Sequence, residues 1–250
     1  MSKTMTTHTS DSSGTEVKEE IIYCKPGRGL TGLSNLGNTC FMNATLQCLS
    51  HTYELNKYLC DDTYKKRLNE VPESALLIEW ENLRKIMWSE NCVVSPGGFL
   101  ANVHKVAKIK DKDIFTGFAQ NDLPEFFLFL IDGFHSALQR PVQMTIKGVA
   151  EDPEDKLALK CYNMMKSMYE KEHSEILKLF YGIHVSEIKS VEEEGVLCKS
   201  LSQTPEPFLM LNLPIPPHNV KRCPTLYDCI DLYTETESLT DWKNTETGEE

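Results

Sequence analysis

The chain has 250 residues, and its 26 Lys and Arg against 37 Asp and Glu give a net charge of −11. With 40% apolar and 25% charged residues it can bury a core as one large domain or two small ones, which excludes a wholly disordered chain. The acidic balance disfavours nucleic acid and anionic membranes as partners and suits a basic protein or peptide.

Residues 1–27 are rich in Ser, Thr, Asp, Glu and Lys without apolar periodicity, and are expected to be a disordered tail. They contain no apolar h-region, so no secretory signal is expected, and the longest apolar run, Phe126 to Ile131, is far too short to span a bilayer. The expectation is a soluble intracellular protein, cytoplasmic or nuclear. The nine cysteines form no C-x-x-C pair, a scatter that suggests neither a disulfide framework nor a zinc ribbon.

From Gly29 to about residue 180 the pattern is helical. Gly37-Asn-Thr predicts a turn into a helix that opens at Cys40, with Asn38 or Thr39 as cap. The residues that follow (Phe41, Met42, Ala44, Leu46, Cys48, Leu49) are apolar nearly all round, so this helix should be buried. Leu76, Trp80, Leu83 and Met87 form one helical stripe, and Ser95-Pro96 reads as a cap followed by proline at the first helical position. Asp122 and Glu125 have capping-box spacing before a helix carrying Phe126, Phe127, Leu130, Ile131, Phe134 and Leu138. Leu157, Cys161, Met164 and Met168 mark another long helix. Beyond Phe180, residues 182–188 and 209–215 alternate as strands, the second ended by Pro216-Pro217. Thr225 then caps a short helix with Leu226, Cys229, Ile230 and Tyr233 inward. Helices before strands give the class α+β.

A cysteine in the first turn of a buried helix is rigidly held, and the helix N-terminus stabilises its thiolate against the free thiol pKa of roughly 8.5. Asn35 lies in the loop before it, where its amide could face an oxyanion near Cys40. Read from these residues alone, Cys40 is either a nucleophile or an ordinary small residue at a helix start.

The stretch Gly32-Leu-Ser-Asn-Leu-Gly-Asn-Thr-Cys40-Phe-Met-Asn-Ala-Thr-Leu-Gln-Cys-Leu49 resembles the cysteine box of the ubiquitin-specific proteases, papain-like deubiquitinases, at every defining position. Gln120-Asn-Asp-Leu-Pro-Glu-Phe126 resembles their second box, departing at Asn121 and Leu123. Pro207 to Ile215 and Leu226 to Ile230 resemble the base of their fingers region. The resemblance implies a papain-like α+β catalytic domain over residues 28–250, with a helical thumb over about 28–180 and the start of fingers and palm over about 181–250.

It implies further that Cys40 is the nucleophile, that Asn35 serves the oxyanion hole, and that Gln120 and Asp122 bind the tail of ubiquitin. Asp122 has an equally ordinary reading as a helix cap. The partners implied are ubiquitin and ubiquitinated proteins, met by a monomer without a cofactor. None of the seven histidines (8, 51, 104, 135, 173, 184 and 218) sits in a segment like the family's histidine box, whose Gly-His-Tyr supplies the base. Residues 1–250 therefore look like the N-terminal part of a longer domain with an incomplete palm sheet, inactive alone. The alternative is a non-catalytic ubiquitin-binding module; a redox role for Cys40 is weaker, for want of a resolving cysteine. No metal is expected, because Cys198 stands alone where a finger C-x-x-C pair would fall and Trp242 and Asn244 occupy the place of the second pair. Glu192 to Glu194 then reads as a solvated finger loop.

Overall fold

A computed structural model describes residues 27–60, 62–190, 200–217 and 223–239. Most of the expected tail, His8, Glu192 to Glu194, Cys198, His218, Trp242 and Asn244 lie outside the described residues. Two compact units divide between Tyr181 and Gly182.

The first unit is helical: α1 (Cys40–Ser50), α2 (Tyr53–Cys60), α3 (Ser74–Ser89), α4 (Gly97–Ile109), α5 (Leu123–Leu138), α6 (Pro153–Glu172) and α7 (Glu175–Phe180). Two short strands, β1 (Gly32–Leu33) and β2 (Val93–Val94), pair in parallel. Helix α3 packs against both α4 and α5. Its stripe of Leu76, Trp80, Leu83 and Met87 is buried as its spacing requires, and the Trp80 ring meets Phe99 of α4 edge-on at 6.5 Å. Gly133 lets α5 approach α3 closely, since a Cβ there would meet Leu76 Cδ1 at 3.1 Å. Asn69 caps the far end of α5: its amide nitrogen donates to the carbonyls of Ser136 and Gln139, both at 2.9 Å.

Several local expectations need correction. Helix α4 begins at Gly97, so Pro96 occupies the cap position and Ser95 makes no cap hydrogen bond. Helix α1 is not buried all round: Met42, Thr45, Leu46, Leu49 and Ser50 face the core while Cys40, Ala44 and Cys48 are exposed. Helix α6 follows its predicted stripe, with Leu157, Cys161, Met164 and Met168 half-buried, yet none of its residues is fully buried.

The second unit has β3 (Gly182–Lys189) antiparallel to β4 (Ser200–Phe208), followed by α8 (Leu226–Tyr233). Residues 209–215, expected as a strand, form none. The partner of β3 is instead the segment that precedes them, which carries Pro205 opposite Val185 and Pro207 opposite Ile183. Two residues apart, both prolines turn their nitrogen toward the same edge of the strand, and a two-stranded ribbon has one edge on which no ladder N–H is needed. The alternating leucines lose because a strand there would need a face to cover it, and Ile215 is 75% exposed. Thr225 and Asp228 complete a capping box on α8. Leu226 is nevertheless 65% exposed and Ile230 and Tyr233 are exposed too, so the apolar side of α8 is not inward among the described residues. No described helix is long and apolar enough to cross a membrane.

One cluster of charged side chains in the first unit centres on Glu175. Glu175 accepts from Arg140 at 2.6 and 3.0 Å, from Arg67 at 3.0 Å and from Tyr58 at 3.2 Å. Burial, the largest single influence, would raise the Glu175 pKa, but the Arg140 hydrogen bonds and charge, a backbone hydrogen bond and the Tyr58 hydroxyl together outweigh it and hold the carboxyl at about 2 rather than 4.5. A pKa depressed by folding contributes stability that is present above about pH 4.5 and lost as the pH falls toward 2. Glu175→Gln is therefore expected to cost about 1–2 kcal/mol at pH 7, allowing for solvent screening on the Arg67 side, and almost nothing near pH 2. Urea unfolding of both proteins at the two pH values measures this.

Candidate functional site

The segment before α1 is held from both sides. Gly32 N donates to Cys92 O at 2.8 Å and Ser34 N to Val94 O at 2.9 Å, which ties it to the β2 strand. Asn43 and Gln47, one helical turn apart on α1, reach back to its other edge. Asn43 Nδ2 donates to Leu33 O at 3.2 Å and Ser34 O at 3.1 Å, and Gln47 Nε2 donates to Thr31 O at 2.8 Å. The helix that Cys40 opens thus fastens the loop that leads into it.

Within the turn, Asn35 Oδ1 accepts from Gly37 N at 3.0 Å, Thr39 N at 3.1 Å and Thr39 Oγ1 at 3.2 Å. Those donors occupy the carbonyl oxygen, which leaves the Nδ2 amide as the outward-facing group of an exposed side chain. Thr39 is the N-cap residue, but its hydroxyl accepts from Leu36 N at 3.0 Å instead of capping α1. Gly37 at φ 105° and Asn38 at φ 54° make two successive left-handed residues, the conformation glycine adopts freely and asparagine tolerates best among the rest. Cys40 follows, exposed, as the first residue of α1, where the helix presents unpaired N–H groups.

Phe41 meets Phe126 edge-on at 5.1 Å, and Phe126 meets Phe115 at 5.5 Å. These contacts set the start of α5 beside the start of α1. A cavity of about 10 Å³, room for one water, lies between them and is lined by Gly37, Thr39, Phe41, His104, Asn121 and Phe126 among others. Asp122 is the N-cap of α5 and accepts from Glu125 N at 3.1 Å, so its capping role is real; the returning Glu125 half of the box is not made. Gln120 is exposed in the loop just before it. Asn38 Nδ2 donates to Phe118 O at 3.0 Å and so joins this loop to the turn before Cys40.

Asn38, a candidate cap of α1 by sequence, does not cap it but reaches Phe118, and the sequence points to no role at the site for Asn43, Gln47, His104 or Phe118. A signal existed for Asn43 and Gln47, two amides spaced four apart on an apolar helix, while the contact between Asn38 and Phe118 spans 80 residues and leaves none.

The described histidines have partners other than Cys40. His51 Nδ1 lies 3.0 Å from Gln47 O, and His104 packs edge-on against Phe118 at 5.6 Å. His135 Nδ1 lies 2.8 Å from Ser174 Oγ. His173 pairs with the Arg140 backbone, and burial, aided by the Arg140 charge, pushes its pKa down. His184 Nε2 lies 3.1 Å from Glu206 Oε2, its ring stacked on Phe208. No hydrogen bond joins any of them to Cys40 among the described residues. No group of three or more His, Cys, Asp or Glu side chains there could hold a metal ion.

Residues 31–227 match the family described as ubiquitin carboxyl-terminal hydrolase. The chain is 36% identical over 223 residues to ubiquitin carboxyl-terminal hydrolase 2 of Homo sapiens, covering 86% of this chain and 34% of that protein. It is 34% identical over 207 residues to ubiquitin carboxyl-terminal hydrolase 15 of Mus musculus, covering 78% of this chain and 20% of that protein. The chain thus spans about a third or less of the curated relatives it matches. Among solved structures it is similar to the SAGA Ubp8/Sgf11/Sus1/Sgf73 DUB module bound to ubiquitin aldehyde, with TM-score 0.56, 22% identity, and coverage of 89% of this chain and 42% of that one. That likeness shows the fold, an α+β domain of the papain-like type.

Asn43→Ala leaves the Leu33 and Ser34 carbonyls without this donor. It is expected to cost about 1–3 kcal/mol, read from urea unfolding, and to raise amide exchange across residues 31–39.

Proposed function

The chain belongs to the ubiquitin carboxyl-terminal hydrolase family, and from that premise we propose that it is the part of a thiol-dependent deubiquitinase that carries the nucleophile. The observation that supports this reading most is the turn before α1. Asn35 has its carbonyl oxygen tied to Gly37 and Thr39, so the amide is its free face, five residues from an exposed Cys40 at a helix start.

In the proposed reaction the Cys40 thiolate attacks the carbonyl carbon of ubiquitin's C-terminal glycine. The oxyanion that forms accepts a hydrogen bond from Asn35 Nδ2. Collapse breaks the carbon–nitrogen bond and releases the amine, which takes up a proton from the general acid, leaving a thioester on Cys40. Water then hydrolyses the thioester and restores the thiol. Gln120 and Asp122 would meet the basic tail of ubiquitin, and a net charge of −11 favours that encounter. One carboxylate has several acceptor sites, so Asp122 can cap α5 and bind substrate at once. The solved module of the same fold bound to ubiquitin aldehyde supports ubiquitin as partner.

The general base is assigned to none of the seven histidines, so residues 1–250 by themselves are expected to show no turnover of ubiquitin conjugates. The test is labelling of the protein made from its whole reading frame with ubiquitin carrying a C-terminal electrophile. The expected result is a covalent adduct that Cys40→Ala abolishes. Ubiquitin bound without any adduct would overturn the enzyme reading in favour of a non-catalytic ubiquitin-binding module.

A further inference from the structure

The contact between Asn38 and Phe118 lies outside the roles given above to Cys40 and Asn35. Asn38 is exposed and stands two residues before Cys40, in the left-handed region at φ 54°. Its side chain reaches out of its own turn, crossing 80 residues of sequence to donate to the Phe118 carbonyl at 3.0 Å. Phe118 is an unusual residue to leave in water, at 62% exposed, yet it is held on two further sides. His104 of α4 packs edge-on against its ring at 5.6 Å, and Gly37 lies so near that a Cβ there would touch Phe118 Cδ1 at 3.7 Å.

Between Thr116, whose N–H and hydroxyl both donate to Asp113 O, and Asp122, which caps α5, the loop around Phe118 has few other ties among the described residues. Gly117 has open space around it, and the amide of Asn121 donates only to Ala119 O, within the loop itself, at 3.2 Å. Yet this loop ends in Gln120 and Asp122. A substrate tail that contacts these residues and also reacts at Cys40 requires the two segments to keep a fixed separation, since small misplacements of reacting groups are costly in rate.

We infer that Asn38 is a positioning residue that straps the middle of the loop of residues 116–122 to the nucleophile's turn, holding Gln120 at a set distance from Cys40 for the ubiquitin tail. The inference rests on the deubiquitinase reading for its substrate, but the strap itself does not. Its chemistry is a neutral amide donor meeting a backbone carbonyl. Aspartate keeps the size and the left-handed tolerance but turns an acceptor toward that carbonyl. Glycine keeps the backbone freedom and removes the donor, so the variants Asn38→Gly and Asn38→Asp separate the hydrogen bond from the backbone conformation.

Three readouts on the full-length protein decide it. Chymotryptic cleavage after Phe118, whose carbonyl the strap holds, is expected to quicken in both variants, by about three- to tenfold, the worth of one hydrogen bond. Labelling by ubiquitin with a C-terminal electrophile is expected to weaken by a similar factor through apparent affinity, with the limiting rate nearly kept. Alkylation of Cys40 by iodoacetamide, followed on its own peptide, should stay within about twofold because that reagent does not use the loop. An unchanged rate of cleavage after Phe118 in Asn38→Gly would overturn the strap, and so would a parallel loss of iodoacetamide reactivity, which would place the effect in the Cys40 turn alone. A wild-type protein that the ubiquitin reagent does not label defeats the deubiquitinase reading instead, and the cleavage measurement still decides the strap.

Discussion

The arrangement around Cys40 depends on two side-chain amides that point backward along the chain. A strand as short as β1 leaves carbonyls on its outer edge without a ladder partner, and buried backbone groups must find one. Asn43 and Gln47 supply it from the helix that Cys40 begins, binding the carbonyls of Thr31, Leu33 and Ser34. The loop is then pinned to β2 on one side and to α1 on the other, so the turn from Asn35 to Thr39 starts from a fixed point. Within that turn Asn35 can keep its oxygen inward and its amide outward, because the N–H groups of Gly37 and Thr39 are already where it needs them.

Behind this turn, packing sets the distances. Phe41, Phe126 and Phe115 form a chain of edge-on rings that brings the first turns of α1 and α5 together. Helix α3 supports α4 and α5 from beneath, with Trp80 and Leu76 at the contacts. The same helix buries Arg84 against Glu81, at 2.6 and 2.7 Å, and charges so far from water persist only when paired this closely. Glu175 plays a comparable part at the other end of the unit, where it gathers Arg140, Arg67 and Tyr58 from three different segments.

How far the sequence could be read follows from the range of each interaction. The start of α1 at Cys40, the Thr225 cap of α8 and the buried stripe of α3 are local and were legible, since caps and helical spacing act within a few residues. The strand expected at residues 209–215 was wrong, because alternation shows only that a segment could be a strand, not that a partner lies beside it. The pairing went to Ser200–Phe208, whose Pro205 and Pro207 stand two residues apart and so share one edge of the strand. The stripe of α6 was legible too, but how deeply it would be buried was not, since that depends on what packs against it.

What the amino-acid sequence determined by itself is the family, carried by an unbroken run of residues from Gly32 to Leu49, together with the helix that Cys40 opens. These are matters of residue identity and of contacts within one or two turns. Only the tertiary structure decided that Asn43 and Gln47 hold the preceding loop, that Asp122 caps α5 without a returning Glu125, and that Asn38 reaches Phe118. Each of these is a choice among hydrogen-bond partners, and an amide or carboxylate at a given position has the same capacity whichever partner it takes. Distant segments must be packed together before that choice exists.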